Sequence, residues 1–166
     1  SFLRTIEDQT LKLMNQGKSL NQVLHEVEMP ENLMKHAWLT PIYDDPQFLI
    51  RMNWRRYGGW WDGEYDRLLP SPRKAEAIAW VELSGGIENI ISKALEQSNQ
   101  ENYALAAHLI ETAFHADHSN EKIHKARSEI YRKFSLKQSS SMGRNILNHA
   151  SLASMKGLRD MAETEN

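Results

Sequence analysis

An all-α fold is predicted by three observations. Apolar residues recur at helical spacing along nearly the whole chain. No run alternates with the period of two that a half-buried strand requires, and Asp62-Gly63 lacks flanking strands. Glycine or proline punctuates most of the periodic runs, which supplies start and stop signals in chain order. Together these predict about eight helices, mostly paired as antiparallel hairpins, in a single domain over residues 1–166.

Ile6, Thr10, Leu13 and Met14 make the first stripe, and Gly17 ends it. Ser19 with Gln22 forms a capping-box pair ahead of Leu20, Val23, Leu24 and Val27. Pro30 opens a short helix through Leu33, Met34 and Ala37, and Thr40 is held extended by Pro41. Asp45-Pro46 is a second start signal, for a helix carrying Phe48, Leu49, Met52 and Trp54 and ending at Gly58-Gly59. Trp60 to Pro70 is irregular. Ser71-Pro72 starts a helix with Ala75, Ile78, Ala79 and Glu82 that ends at Gly85-Gly86. Helices are then expected over Ile87–Gln97, Tyr103–Phe114, Ile123–Phe134 and, more weakly, Ser141–Leu158. Small residues at Ala94, Ala106, Ala107 and Ala113 suit close helix pairs, so the second half has the pattern of tetratricopeptide-like stacking without its full consensus.

The densest chemistry lies at Asn53-Trp54-Arg55-Arg56-Tyr57-Gly58-Gly59-Trp60-Trp61-Asp62-Gly63, which holds three of the five tryptophans. Paired glycines break the helix where two large aromatic side chains follow, so the segment either plugs its own core or presents an aromatic surface. Trp, Tyr and Arg are the residue types enriched at binding hot spots, which makes Trp54, Arg55, Tyr57, Trp60, Trp61 and Asp62 interface or pocket-wall candidates. Arg51, Arg55 and Arg56 could hold Asp62, Glu64 or Asp66 locally or bind an anion such as sulfate; local pairing is favoured, because three acids follow within the same loop.

Totals exclude several function classes. A net charge of -2 provides no field for a polyanion, so nucleic acid is not expected as a partner. No apolar run approaches the ~20 residues of a membrane span. The absence of cysteine removes disulfides, thiolate zinc sites and a cysteine nucleophile. No signal peptide is visible at the start, and the abrupt helical opening suggests a piece of a longer protein. His115-Ala116-Asp117-His118 imitates the end of a His-x-His-x-Asp-His dinuclear metal motif, but Ala113 stands where the first histidine belongs, and a solvated helix terminus is the preferred reading. No Gly-x-Ser-x-Gly elbow or glycine-rich phosphate loop occurs. No catalytic, cofactor or metal residue is assigned.

The string from Trp38 to Arg51, followed by Trp54-Arg55-Arg56-Tyr57-Gly58-Gly59-Trp60-Trp61-Asp62-Gly63, resembles the dimerisation domain of alkyl sulfatases of the metallo-β-lactamase superfamily. Further matches run over Ala79 to Gly86, Tyr103 to Asp117 and Tyr131 to Asn145, whereas Gln138-Ser139-Ser140-Ser141 and His118 depart from the family pattern. The resemblance implies a division of labour. A separate N-terminal domain holds two zinc ions and hydrolyses alkyl sulfate esters to alcohol and sulfate. The helical domain makes the homodimer, and a sterol-carrier-like domain receives the alkyl chain. It also implies that the zinc and the sulfuric ester hydrolase activity belong to the parent rather than to this chain. The expected partners are a second copy and the parent's hydrolase domain, and relatives are often exported or periplasmic. The aromatic segment and the Leu- and Met-rich first helices are then expected in the dimer contact. The residues alone also admit a free-standing helical-repeat adaptor for a protein or peptide partner; a His-x-His-x-Asp-His motif upstream in the gene would distinguish the two.

Overall fold

A computed structural model describes residues 2–29, 42–157 and 160. The expected helix after Pro30 and the Thr40-Pro41 stretch lie outside the described residues. Among those described, the elements are α1 (Phe2–Asn15), α2 (Leu20–Glu26), α3 (Pro46–Gly58), a 3-10 turn (Tyr65–Arg67), α4 (Arg73–Leu83), α5 (Ile87–Asn99), α6 (Tyr103–Ala116), α7 (Glu121–Leu136) and α8 (Ser141–Lys156), with no strand. The all-α reading therefore holds. The chain divides into two compact units, one of Ser1–Pro70 with Ser139–Met142, the other of Ser71–Gln138 with Gly143–Asn166.

In the first unit α1 and α2 pack on α3. Ile6, Val23, Leu24, Ile50 and Trp54 form its core, and Leu13, Met14, Leu20 and Leu49 lean on it. The local signals act as the sequence indicates. Gly17, at φ +77°, lets the backbone turn so that Lys18 N–H donates to the Leu13 carbonyl at 3.2 Å and Gly17 N–H to Met14 at 2.9 Å. The Ser19 N–H donates to Gln22 Oε1 at 2.9 Å and the Gln22 N–H to Ser19 Oγ at 3.4 Å, a reciprocal cap on α2. Asp45 Oδ1 accepts from the Gln47 N–H at 2.8 Å, with Pro46 in the first turn of α3.

In the second unit α6 is central, packed against α4, α5 and α7. Ile90, Ile91, Ile110, Phe114, Ile123 and Ile130 fill the core, and Ala94, Ala106, Ala113 and Ala126 are buried among them. Small side chains there let the helices approach closely while the isoleucines interdigitate. α5 runs two residues beyond the expected Gln97. Its end is closed by Glu101 at φ 63°, with the Asn102 N–H donating to the Gln97 carbonyl at 2.9 Å. This is the closure that glycine usually provides, made here without one.

Candidate functional site

The aromatic segment is built from the inside outward. Trp54 is buried on α3, and its indole Nε1–H donates to the Trp61 carbonyl at 2.9 Å. A tryptophan in the core thus fixes the backbone of the loop seven residues on. Gly59, at φ 84° and ψ −148°, provides the reversal after α3. Trp61 is half-buried; its Nε1–H donates to the Glu64 carbonyl at 3.1 Å, and its ring meets Tyr65 at 5.6 Å. The Asp62 carbonyl accepts from the Leu20 N–H at 2.8 Å, while its carboxylate accepts from the Glu64 N–H at 3.0 Å and from Arg67 Nη1 at 3.3 Å. Gly63 has φ +87°, and a Cβ there would stand 3.1 Å from Ser19 Cα. The loop is stitched to the start of α2 by its backbone.

The sequence-predicted residues therefore separate. Trp54, Trp61 and Asp62 hold the loop's own shape. Tyr57 sits on α3 with its hydroxyl donating to Glu7 Oε1 at 2.6 Å; that bond raises its pKa, and the Arg56 guanidinium over the ring at 5.4 Å opposes the rise. Trp60 points away, 79 % exposed, with Arg55, Tyr65 and Leu69 also exposed in this unit. The segment is both plug and surface, divided between two adjacent tryptophans.

One expectation changes. The loop acids are not held by Arg51, Arg55 or Arg56: Arg67 takes Asp62, and no ion pair of those three arginines occurs among the described residues. The cause is local, since Asp62 folds over its own turn toward the 3-10 residues that follow rather than back to α3. Leu13, Met14 and Leu20 of the first helices are partly buried against their own unit's core.

The second unit holds a buried polar cluster that the sequence reading missed. Arg127, 2 % exposed, donates from Nε to Glu111 Oε1 at 2.6 Å and from Nη1 to Asp160 Oδ2 at 2.7 Å and Ser154 Oγ at 2.9 Å. Its guanidinium lies over Phe114 at 4.1 Å and Tyr131 at 5.3 Å. Burial opposes the charge, but Glu111 and then Asp160 outweigh it, so the arginine's pKa is raised. Burial, with Glu111 next, raises that of Tyr131 as well. The available signal was spacing: Arg127 shares the face of Ile123, Ala126 and Ile130, where a solvated arginine does not belong.

His115 is buried with Nε2 3.9 Å from Glu111 Oε2, and His118 stacks on Phe114 at 4.6 Å. The Asp117 carboxylate accepts from the Ser119 hydroxyl at 2.7 Å and its N–H at 3.0 Å, which lowers its pKa. Among the described residues no group of three or more His, Asp or Glu side chains could hold a metal ion, and no helix is long and apolar enough to cross a membrane.

Known proteins give this architecture a context. The chain is 28% identical over 122 residues to alkyl/aryl-sulfatase BDS1 of Saccharomyces cerevisiae, covering 74% of this chain and 18% of that protein. It is 25% identical over 129 residues to a linear primary-alkylsulfatase of a Pseudomonas species, covering 77% of this chain and 24% of the other. The fold matches the solved structure of the stereoselective inverting sec-alkylsulfatase Pisa1 from Pseudomonas sp., with a TM-score of 0.85 at 21% identity, over 93% of this chain and 24% of that one. The chain thus spans about a quarter or less of the length of these relatives. The sequence model of the alkyl sulfatase dimerisation family matches residues 19–157, and the chain belongs to that family.

Proposed function

We propose that this chain is the homodimerisation module of an alkyl sulfatase-like zinc hydrolase, with the hydrolytic chemistry carried by another domain of the same parent. The family match over residues 19–157 carries the reading. The two units support it: their buried groups are engaged in holding helices and loops together, while large apolar side chains remain exposed. The parent would cleave alkyl sulfate esters to alcohol and sulfate at zinc ions bound outside this chain.

The aromatic segment has a separate part in this reading. Trp60, with Arg55 near it in sequence, faces the parent's hydrolase domain and walls the approach of a substrate with an apolar tail and an anionic head. Trp61 only positions it. In a full-length parent Trp60→Ala should therefore raise KM for long-chain alkyl sulfates severalfold with kcat little changed, because uniform binding is lost rather than transition-state binding. Unchanged kinetics would remove the segment from the substrate's path. Dimerisation itself is tested by the solution mass of the 166-residue chain, which should be that of two copies.

A further inference from the structure

α3 carries three arginines, Arg51, Arg55 and Arg56, and no acidic residue, in a chain whose net charge is -2. All three are exposed, and none makes an ion pair among the described residues. Three acids of the same unit are engaged elsewhere: Asp45 caps the start of α3, Asp62 accepts from Arg67, and Glu7 accepts from the Tyr57 hydroxyl. Of the two roles open to these arginines, a local acid and an external anion, the first is not taken. The helix dipole favours cations in the last turn, which accounts for Arg55 and Arg56 but not for Arg51, one turn earlier. Arg51 and Arg55 moreover stand at i and i+4, where like charges weaken a helix.

The same flank of α3 receives the aromatic segment. At about 100° per residue, Arg51 and Arg55 lie roughly 60° and roughly 100° round the helix from buried Trp54 in one sense, with Met52 beyond them. Ile50 and Tyr57 lie on the other side of Trp54. Gly58 is roughly 40° from Trp54 on the arginine side, and a Cβ there would stand 3.6 Å from the Trp54 Nε1. The indole nitrogen therefore leans toward the arginines. The Trp61 carbonyl that it holds at 2.9 Å enters on that flank, and the exposed Trp60 comes with it. Arg56 lies further round, its guanidinium over the Tyr57 ring at 5.4 Å.

We infer that Arg51 and Arg55 receive the anionic head of an alkyl sulfate, a tetrahedral oxyanion on an apolar tail. Side chains one helical turn apart have Cβ atoms about 6 Å from each other, so both guanidinium groups reach one such head, each offering a fork of N–H donors to its oxygens. Met52, 65 % exposed, and Trp60 stand beside the pair and offer apolar contact to the first carbons of the tail. An acidic peptide would meet the same arginines but leave those apolar side chains without a part. The inference rests on the alkyl sulfatase reading and gives the substrate's head a place on this chain.

The test is a titration of the 166-residue chain with hexyl sulfate below its micelle-forming concentration, followed by NMR at the arginine Nε–H groups, with hexanol and inorganic sulfate in parallel. All the altered side chains are exposed, so each variant should fold, which circular dichroism checks. Hexyl sulfate should shift Arg51 and Arg55, hexanol should shift neither, and inorganic sulfate should bind more weakly. Arg51→Gln and Arg55→Gln should each raise Kd on the order of tenfold, and Arg51→Lys, which keeps the charge without the fork, by less. Arg56→Gln should change it less than about twofold. No binding of hexyl sulfate, or binding that survives both glutamine changes, overturns the inference. Inorganic sulfate bound as tightly as hexyl sulfate overturns the choice of an ester head. The solution mass of the same samples keeps the two readings apart: a dimer that binds no hexyl sulfate removes only this inference, and a monomer that binds it removes only the dimerisation reading.

Discussion

Arg127 is the residue on which the second unit most depends. A buried guanidinium faces two carboxylates and two aromatic rings, and removing it leaves Glu111 and Asp160 without their cation. Arg127→Ala should cost about 3–5 kcal/mol, whereas Arg127→Lys, which keeps the charge but loses the fork, should cost less; urea unfolding followed by circular dichroism distinguishes them. In the first unit the informative residue is Gly63. A Cβ there meets the Ser19 backbone and the φ of +87° suits only glycine, so Gly63→Ala should cost about 1–3 kcal/mol. Gly58→Ala is the control: its Cβ presses on the movable end of Met14 and meets the Trp54 ring at an ordinary 3.6 Å, so it should be nearly neutral. Asp117 gives a pH signature. Its pKa is lowered in the folded state, so its contribution is present above the ordinary carboxylate range and is lost as pH falls through the lowered value. Asp117→Asn should lose stability at neutral pH and show a flatter decline in melting temperature below about pH 4. Residue type identified the aromatic segment in the sequence, but not which tryptophan faces outward. That depends on the turn at Gly59 and on Trp54 capturing the Trp61 carbonyl, neither of which leaves a trace in composition.

At the scale of elements, the helices were legible wherever a local signal punctuated them. Gly17, the Ser19–Gln22 box and Asp45-Pro46 each act through bonds within a few residues, which is why one strand of sequence sufficed. Ser19→Ala and Asp45→Ala should each cost about 1 kcal/mol, measured as lowered thermal stability. The sequence places the end of α5 two residues early, because that end uses Glu101 in the conformation normally taken by glycine, and no residue type announces that. Arg127 escaped notice for a related reason: an arginine within an apolar stripe reads as surface until the acids that surround it, 16 residues earlier and 33 later, are brought to it by the fold. α4 was read correctly as a helix, but not as one whose outward side is the apolar one. Pattern gives the stripe; only the packing of α4 on α6, with Val81 against the core and Ala77 buried, shows which part of it is already covered.

For the molecule as a whole, large apolar side chains stand exposed in both units, Trp60, Tyr65 and Leu69 among them in the first and Ile78, Trp80 and Leu83 in the second. Exposed apolar patches of this kind mark contacts. On the proposed reading this chain contacts its own copy and the remainder of the parent, and exposed apolar side chains are available in both units for those contacts. The proposed self-association is measured by light scattering from the 166-residue chain, diluted to about micromolar. A mass near twice 19.2 kDa is expected at every concentration. A mass of 19.2 kDa throughout the series would contradict it.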